Sequence, residues 1–156
     1  SGIKDLLPEI DEVIEVVKCN IHHLYHLRGV QTHADYHLFN MIFNEGIYQG
    51  VIDFERVRPG IFLTDFRNNT PHNSPISPYF ASGFIDVYLD KYNIENFFLM
   101  YNIYDLLVSI AAIPWIKQFD PENIDKSVKL IRSIFTQKDK LHESPNWYLG
   151  KYKVSS

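Results

Sequence analysis

"HADYHLFN", residues 33–40, and "GVIDFERVRPG", residues 50–60, together decide how this chain is read. Two histidines, an aspartate and an asparagine occupy eight positions, and a second aspartate, Asp53, follows Asn40 by thirteen residues inside Ile-Asp-Phe. Three chemistries compete for the pattern: a metal cage, a phosphoryl-transfer loop, and a polar turn with no chemistry.

The metal reading draws on His33, Asp35 and His37, with His22, His23 and His26 upstream. Such residues can serve a zinc or di-metal hydrolase, but a hydrolytic zinc site needs three protein ligands that converge on one point. The phosphoryl-transfer reading explains the residue types more fully. A substrate hydroxyl needs a carboxylate to orient it and take its proton. Magnesium ions bridging phosphates need hard oxygen ligands, which an amide and a second carboxylate provide. A loop and the hairpin beside it can bring these groups together at small closure cost.

These two segments, together with "TDF" at 64–66, resemble the aminoglycoside phosphotransferase and choline kinase superfamily, whose fold is that of the protein kinases. The family's catalytic loop runs His-x-Asp with Asn five residues on, then Ile-Asp-Phe, then a further Asp. His33, Asp35, Asn40, Ile52, Asp53, Phe54 and Asp65 fill those positions. The resemblance implies that Asp35 is the catalytic base or orients the acceptor hydroxyl, and that Asn40 and Asp53 are the Mg2+ ligands that hold the nucleotide phosphates. It implies that His33 braces the loop by hydrogen bonds, that Asp65 steadies the loop from below, and that His37 is structural. ATP is the implied phosphate donor, and the acceptor is a hydroxyl of a small molecule: an aminoglycoside, amino alcohol, amino acid or sugar. Ala34 stands where the family commonly has Gly, and Leu38-Phe39 replaces the frequent Pro-Gly. Glu55 is one of several residues found after Ile-Asp-Phe and identifies no subfamily.

Working outward, residues 8–28 read as a helix with Pro8 in its first turn, acidic Glu9, Asp11 and Glu12 at its positive end, and Gly29 as its stop. "GVQTH" reads as short and extended. "MIF" (41–43) and "IYQGVIDF" (47–54) read as strands joined by the turn "NEG". "FLTDFRNN" suits a short helical piece. Ser77-Pro78 and Asp120-Pro121 predict capped helices over about 78–91 and 121–137, flanking a long one at about 94–117. The tail from about 139 has no periodicity. The expected fold is therefore α+β, mainly α: the C-terminal, helical lobe of a protein-kinase-like fold, one domain over 3–150, with a small hairpin beside the catalytic loop. Ser1-Gly2 reads as a tag remnant. Only one helix precedes the loop, so the N-terminal lobe with its glycine-rich strands and lysine is expected to be missing, and the fragment alone to be inactive.

Composition narrows the partners. Fifteen Lys and Arg against nineteen Asp and Glu give a net charge of −4, with no basic stripe, so no nucleic-acid partner is expected. The single Cys19 suits a reducing, cytoplasmic setting. "FFLMYNIYDLLVSIAAIPWI" (97–116) is apolar enough to suggest a membrane span, but Asn102 and Asp105 lie mid-segment and favour a buried core helix. No membrane partner is expected, and the aromatic-rich helices leave self-association open. Asp86, Asp90, Glu95 and Asp105 are acidic candidates for the acceptor site. Two rival functions stand beside the kinase: a kinase-like binding or regulatory module without catalysis, and the metal-dependent hydrolase.

Overall fold

In the computed structural model, residues 3–67 and 78–150 are described. The chain divides into two compact units, Ser1–His26 with Glu95–Pro145, and Leu27–Ile94 with Asn146–Ser156.

The first unit is helical, and the buried cluster around α2 is aliphatic. A short α1 (Ile3–Leu6) leads through a turn at Pro8 into α2 (Ile10–Asn20), where Ile10, Val13 and Val17 recur on one face and are buried. They pack with Leu7, with Leu106 and Ile113 of α5 (Phe97–Phe119), and with Val128 and Ile131 of α6 (Ile124–Phe135). The turn before α2 is fixed by an ion pair: Arg132 donates from Nε to Glu9 Oε1 at 2.6 Å and from Nη2 to the Leu6 carbonyl at 3.3 Å. That guanidinium hydrogen bond holds the Glu9 carboxyl below its ordinary range. Asn102, buried on α5, donates from Nδ2 to the carbonyls of Leu141 and Glu143 at 2.8 and 3.2 Å. The tail beyond α6 is thereby ordered.

The helix expected over 8–28 is shorter than its apolar period suggested. Pro8 lies in the turn before it, not in its first turn. At the other end Asn20 Nδ2 donates to the Val16 carbonyl at 2.8 Å. This side chain competes for a ladder acceptor, and the chain tightens into a 3-10 turn, Ile21–Leu24. The cap expected at Asp120 is also absent. Its carboxylate accepts from Asn123 Nδ2 at 3.0 and 2.9 Å, and a 3-10 turn, Pro121–Asn123, precedes α6. The Ser77 cap lies outside the described residues.

Helix α5 is long and apolar enough to cross a membrane by composition, with a mean hydropathy of 1.6 over its most apolar window. It continues through Pro114 to Phe119, and Leu106 and Ile113 are at most 1 % exposed in the core of its unit.

The second unit holds two small antiparallel sheets and two helices. β1 (Val30–Thr32) pairs with β4 (Arg58–Gly60), Thr32 opposite Arg58. β2 (Met41–Asn44) pairs with β3 (Ile47–Val51), Met41 opposite Val51. Glu45 and Gly46 turn that hairpin at φ 49° and 78°, the doubly positive pair a two-residue type I′ loop requires. β3 stops at Val51, three residues short of the expected strand, because Asp53 adopts a left-handed conformation. After β4 come α3 (Leu63–Arg67) and α4 (Pro78–Tyr92), which ends at Asn93 with φ 43°, its N–H returned to the Leu89 carbonyl at 2.9 Å. Rings join the two helices: Phe66 lies 4.6 Å from Phe84 and 4.7 Å from Tyr88. The architecture is α+β and mainly α.

Ile131 is fully buried at the centre of the aliphatic core. Ile131→Ala should lower the unfolding free energy by about 2–5 kcal/mol, read as a shifted midpoint in chemical denaturation.

Candidate active site

The site begins where β1 ends. Thr32 is 1 % exposed, and its hydroxyl donates to the Arg58 carbonyl at 2.9 Å, which fixes the strand end from which the loop departs. Ala34 then takes φ 62°. A left-handed residue turns neighbouring N–H groups toward one point, a ready seat for an anion. Asp65, on α3, fills it: its Oδ2 accepts from His33 N at 3.1 Å and its Oδ1 from Ala34 N at 2.9 Å.

So turned, the buried His33 ring reaches the hairpin. Its Nε2 lies 2.9 Å from the Ile52 carbonyl. A carbonyl can only accept, so Nε2 carries the proton. The ring also rests 4.8 Å from Phe54. Ile52 N donates to the Asn40 carbonyl at 2.9 Å, one step beyond the Met41–Val51 pair. The hairpin register therefore sets Asn40, just before β2, and Asp53, two residues after β3, at the same end of the hairpin.

Asn40 is buried, and its Nδ2 donates to the Asp35 carbonyl at 2.9 Å. This bond identifies the amide nitrogen and leaves Oδ1, a hard oxygen, for a ligand. Asp35 is held by its backbone, while its carboxylate is a quarter exposed and 3.6 Å from His37 Nε2, too far for a hydrogen bond. Asp53 is exposed at φ 66°, and no hydrogen bond or ion pair among the described residues holds its carboxylate. The Asn40 amide oxygen and the Asp35 and Asp53 carboxylates are hard oxygen donors, the kind that Mg2+ takes.

Tyr36 was not singled out in the sequence. Its ring lies 5.9 Å from His33 and 5.5 Å from Phe84 of α4, and its hydroxyl lies near Tyr48 of β3. Burial first, then Tyr48, push this phenol above the ordinary tyrosine range, so it stays neutral. Its position between Asp35 and His37 was the one available signal.

The other candidates disperse. The rings of His22 and His23 lie 4.1 Å apart, tilted by 37°, in the helical unit, and no group of three His, Cys, Asp or Glu among the described residues could hold a metal ion. The acidic acceptor candidates fall in both units: Glu95 and the buried Asp105 in the helical one, Asp86 and Asp90 on α4 in the other.

A profile of the phosphotransferase enzyme family matches residues 2–92, which include the loop, the hairpin, Asp65 and α4. The chain belongs to this family. It is thus a member of the aminoglycoside phosphotransferase and choline kinase-like superfamily, with the protein-kinase-like fold that membership brings. No curated protein and no solved structure matches the chain.

Two substitutions should move stability in opposite directions. An alanine in the left-handed region costs about 1–2 kcal/mol, of which glycine's extra unfolded-chain entropy takes back about 0.4–1. Ala34→Gly should therefore stabilise by about 0.5–1 kcal/mol. Asp65→Ala strands two backbone N–H groups and should cost at least about 2 kcal/mol. Paired denaturation curves check both.

Proposed function

We propose that this chain supplies the catalytic lobe of an ATP-dependent phosphotransferase that passes the γ-phosphate to a hydroxyl of a small molecule. The observation that carries the reading is the Asn40 amide bonded to the Asp35 carbonyl. One contact fixes the spacing between the residue of the proposed base and the proposed metal ligand.

In this reading Asp35 accepts a hydrogen bond from the acceptor hydroxyl, aligns its oxygen with the γ-phosphorus, and takes the proton as the new P–O bond forms and the bond to the β-phosphate oxygen breaks. Asn40 Oδ1 and the Asp53 carboxylate would hold Mg2+, which when bound neutralises charge on the phosphates. His33 and Asp65 touch no reactant and keep the loop in register. The acceptor belongs to the class of aminoglycosides, amino alcohols, amino acids and sugars.

Positioning supplies most of the rate in phosphoryl transfer, and a grip on the triphosphate comes from a second, N-terminal lobe that partners this one. The exposed apolar side chains around the hairpin, Ile42, Phe43, Ile47 and Ile52 among them, suit cover by a nucleotide base and that lobe. We place the working enzyme in the cytoplasm, with α5 as a core helix and no membrane or nucleic-acid partner.

In the enzyme carrying both lobes, Asp35→Asn should lower kcat by about 10²–10⁴-fold with nucleotide KM little changed, and unaltered turnover would sink the assigned role. The 156-residue chain alone should bind nucleotide weakly, only with Mg2+, and make negligible ADP. Asp53→Ala should remove that Mg2+ dependence in titration calorimetry; robust ADP formation by the single lobe refutes the need for a partner.

A further inference from the structure

Helix α4 has two working flanks. Phe84 and Tyr88, one turn apart, face the rings of α3 and of the loop, while Ser82 and Asp86, also one turn apart, are displaced from them by about 200° of helix per two residues. Buried Ala81, Ile85 and Leu89 lie between.

The Ser82–Asp86 flank is taken by the chain's return segment. Leu149 N donates to Ser82 Oγ at 2.8 Å, and Ser82 is 3 % exposed. Tyr148 is fully buried, and its hydroxyl donates to the Asp86 carboxylate. Gly150 follows so closely that a methyl on it would collide with both Asp86 oxygens and with the Tyr148 hydroxyl. These three fixings are specific: a buried phenol needs an acceptor, a buried serine takes an amide, and only glycine fits the last place.

We propose that residues 146–150 are a latch that positions the catalytic loop through α4. The rings on the other flank touch the two places that matter. Phe84 meets Tyr36, the residue after Asp35, at 5.5 Å. Phe84 also meets Phe66, the residue after Asp65, at 4.6 Å. Movement of α4 therefore disturbs the residue that follows the base and the residue that follows the bracing carboxylate. Asp86 and Tyr148 are positioning residues, and Asp86 is a latch anchor, not an acceptor ligand. The coupling itself does not depend on the reaction; its consequence for turnover rests on the function proposed above.

Amide hydrogen exchange by NMR on the 156-residue chain tests it. The reporters are Leu149 for the latch, His33 and Ala34 for the loop, and Val17 and Ile131 for the helical unit. Gly150→Val, which displaces residues 146–150 while leaving the sequence of α4 unchanged, and Asp86→Leu should each speed exchange at Leu149, His33 and Ala34 by about tenfold or more. Val17 and Ile131 should hold their rates. Asp86→Asn, which keeps an acceptor for Tyr148, should restore loop protection to within about threefold of the parent. Faster exchange at Leu149 with His33 and Ala34 unmoved overturns the proposal, and so does an equal rise in all five. If Asp35→Asn leaves turnover intact while Gly150→Val still frees the loop, the phosphotransferase role fails and the latch stands.

Discussion

The carboxylate of Asp65 accepts from two consecutive backbone N–H groups, those of His33 and Ala34, and the rest of the site inherits its geometry from that grip. The second of these two residues, Ala34, is left-handed, and a left-handed residue in such a turn lets successive N–H groups gather on one anion. The turn aims the His33 ring at the Ile52 carbonyl, and Ile52 in turn donates to Asn40. From one ionic contact the order passes through a ring to a strand end and then to an amide oxygen and a carboxylate. The strain at Ala34 is repaid by charge-assisted hydrogen bonds, each roughly twice as strong as a neutral one.

The two units reach stability by different chemistry. The helical unit stacks aliphatic side chains at helical spacing, with polar ties from Arg132 to Glu9 and from Asn102 to the chain beyond α6. The site unit has loops and two-stranded sheets, too little regular backbone to bury a continuous aliphatic face. Large rings compensate, since each removes much apolar surface from water with few rotatable bonds. Phe66, Phe84, Tyr36 and Tyr88 form that packing. Its position against the loop makes the same atoms serve stability and alignment.

Local signals were legible, and non-local ones were not. Asn-Glu-Gly announced the hairpin turn because positive φ is a local demand. The loop residues were found because their chemistry is tied to spacing, and the match over residues 2–92 agrees with the family they suggested. The pairing of β1 with β4 went unseen: Arg58-Pro59-Gly60 looks like a turn, and only its distant partner makes it a strand. The first helix was read too long because apolar period says nothing of an Asn20 side chain taking a helix carbonyl. Ala34 was visible as a departure from glycine, yet its φ was not. Tyr36 and the return segment act across the chain, where sequence spacing gives no clue.

The contacts of Tyr148 and Leu149 span 62 and 67 residues. During synthesis, at about 5–20 residues per second, the loop, hairpin and Asp65 leave the ribosome well before the segment that fastens α4. For that interval Asp35, Asn40, Asp53 and Asp65 are held without the contacts of Tyr148 and Leu149. A product ending near residue 145 would keep the motif and lose the fastening. If residues 146–150 act as the proposed latch, products shortened before them expose a looser loop to proteolysis.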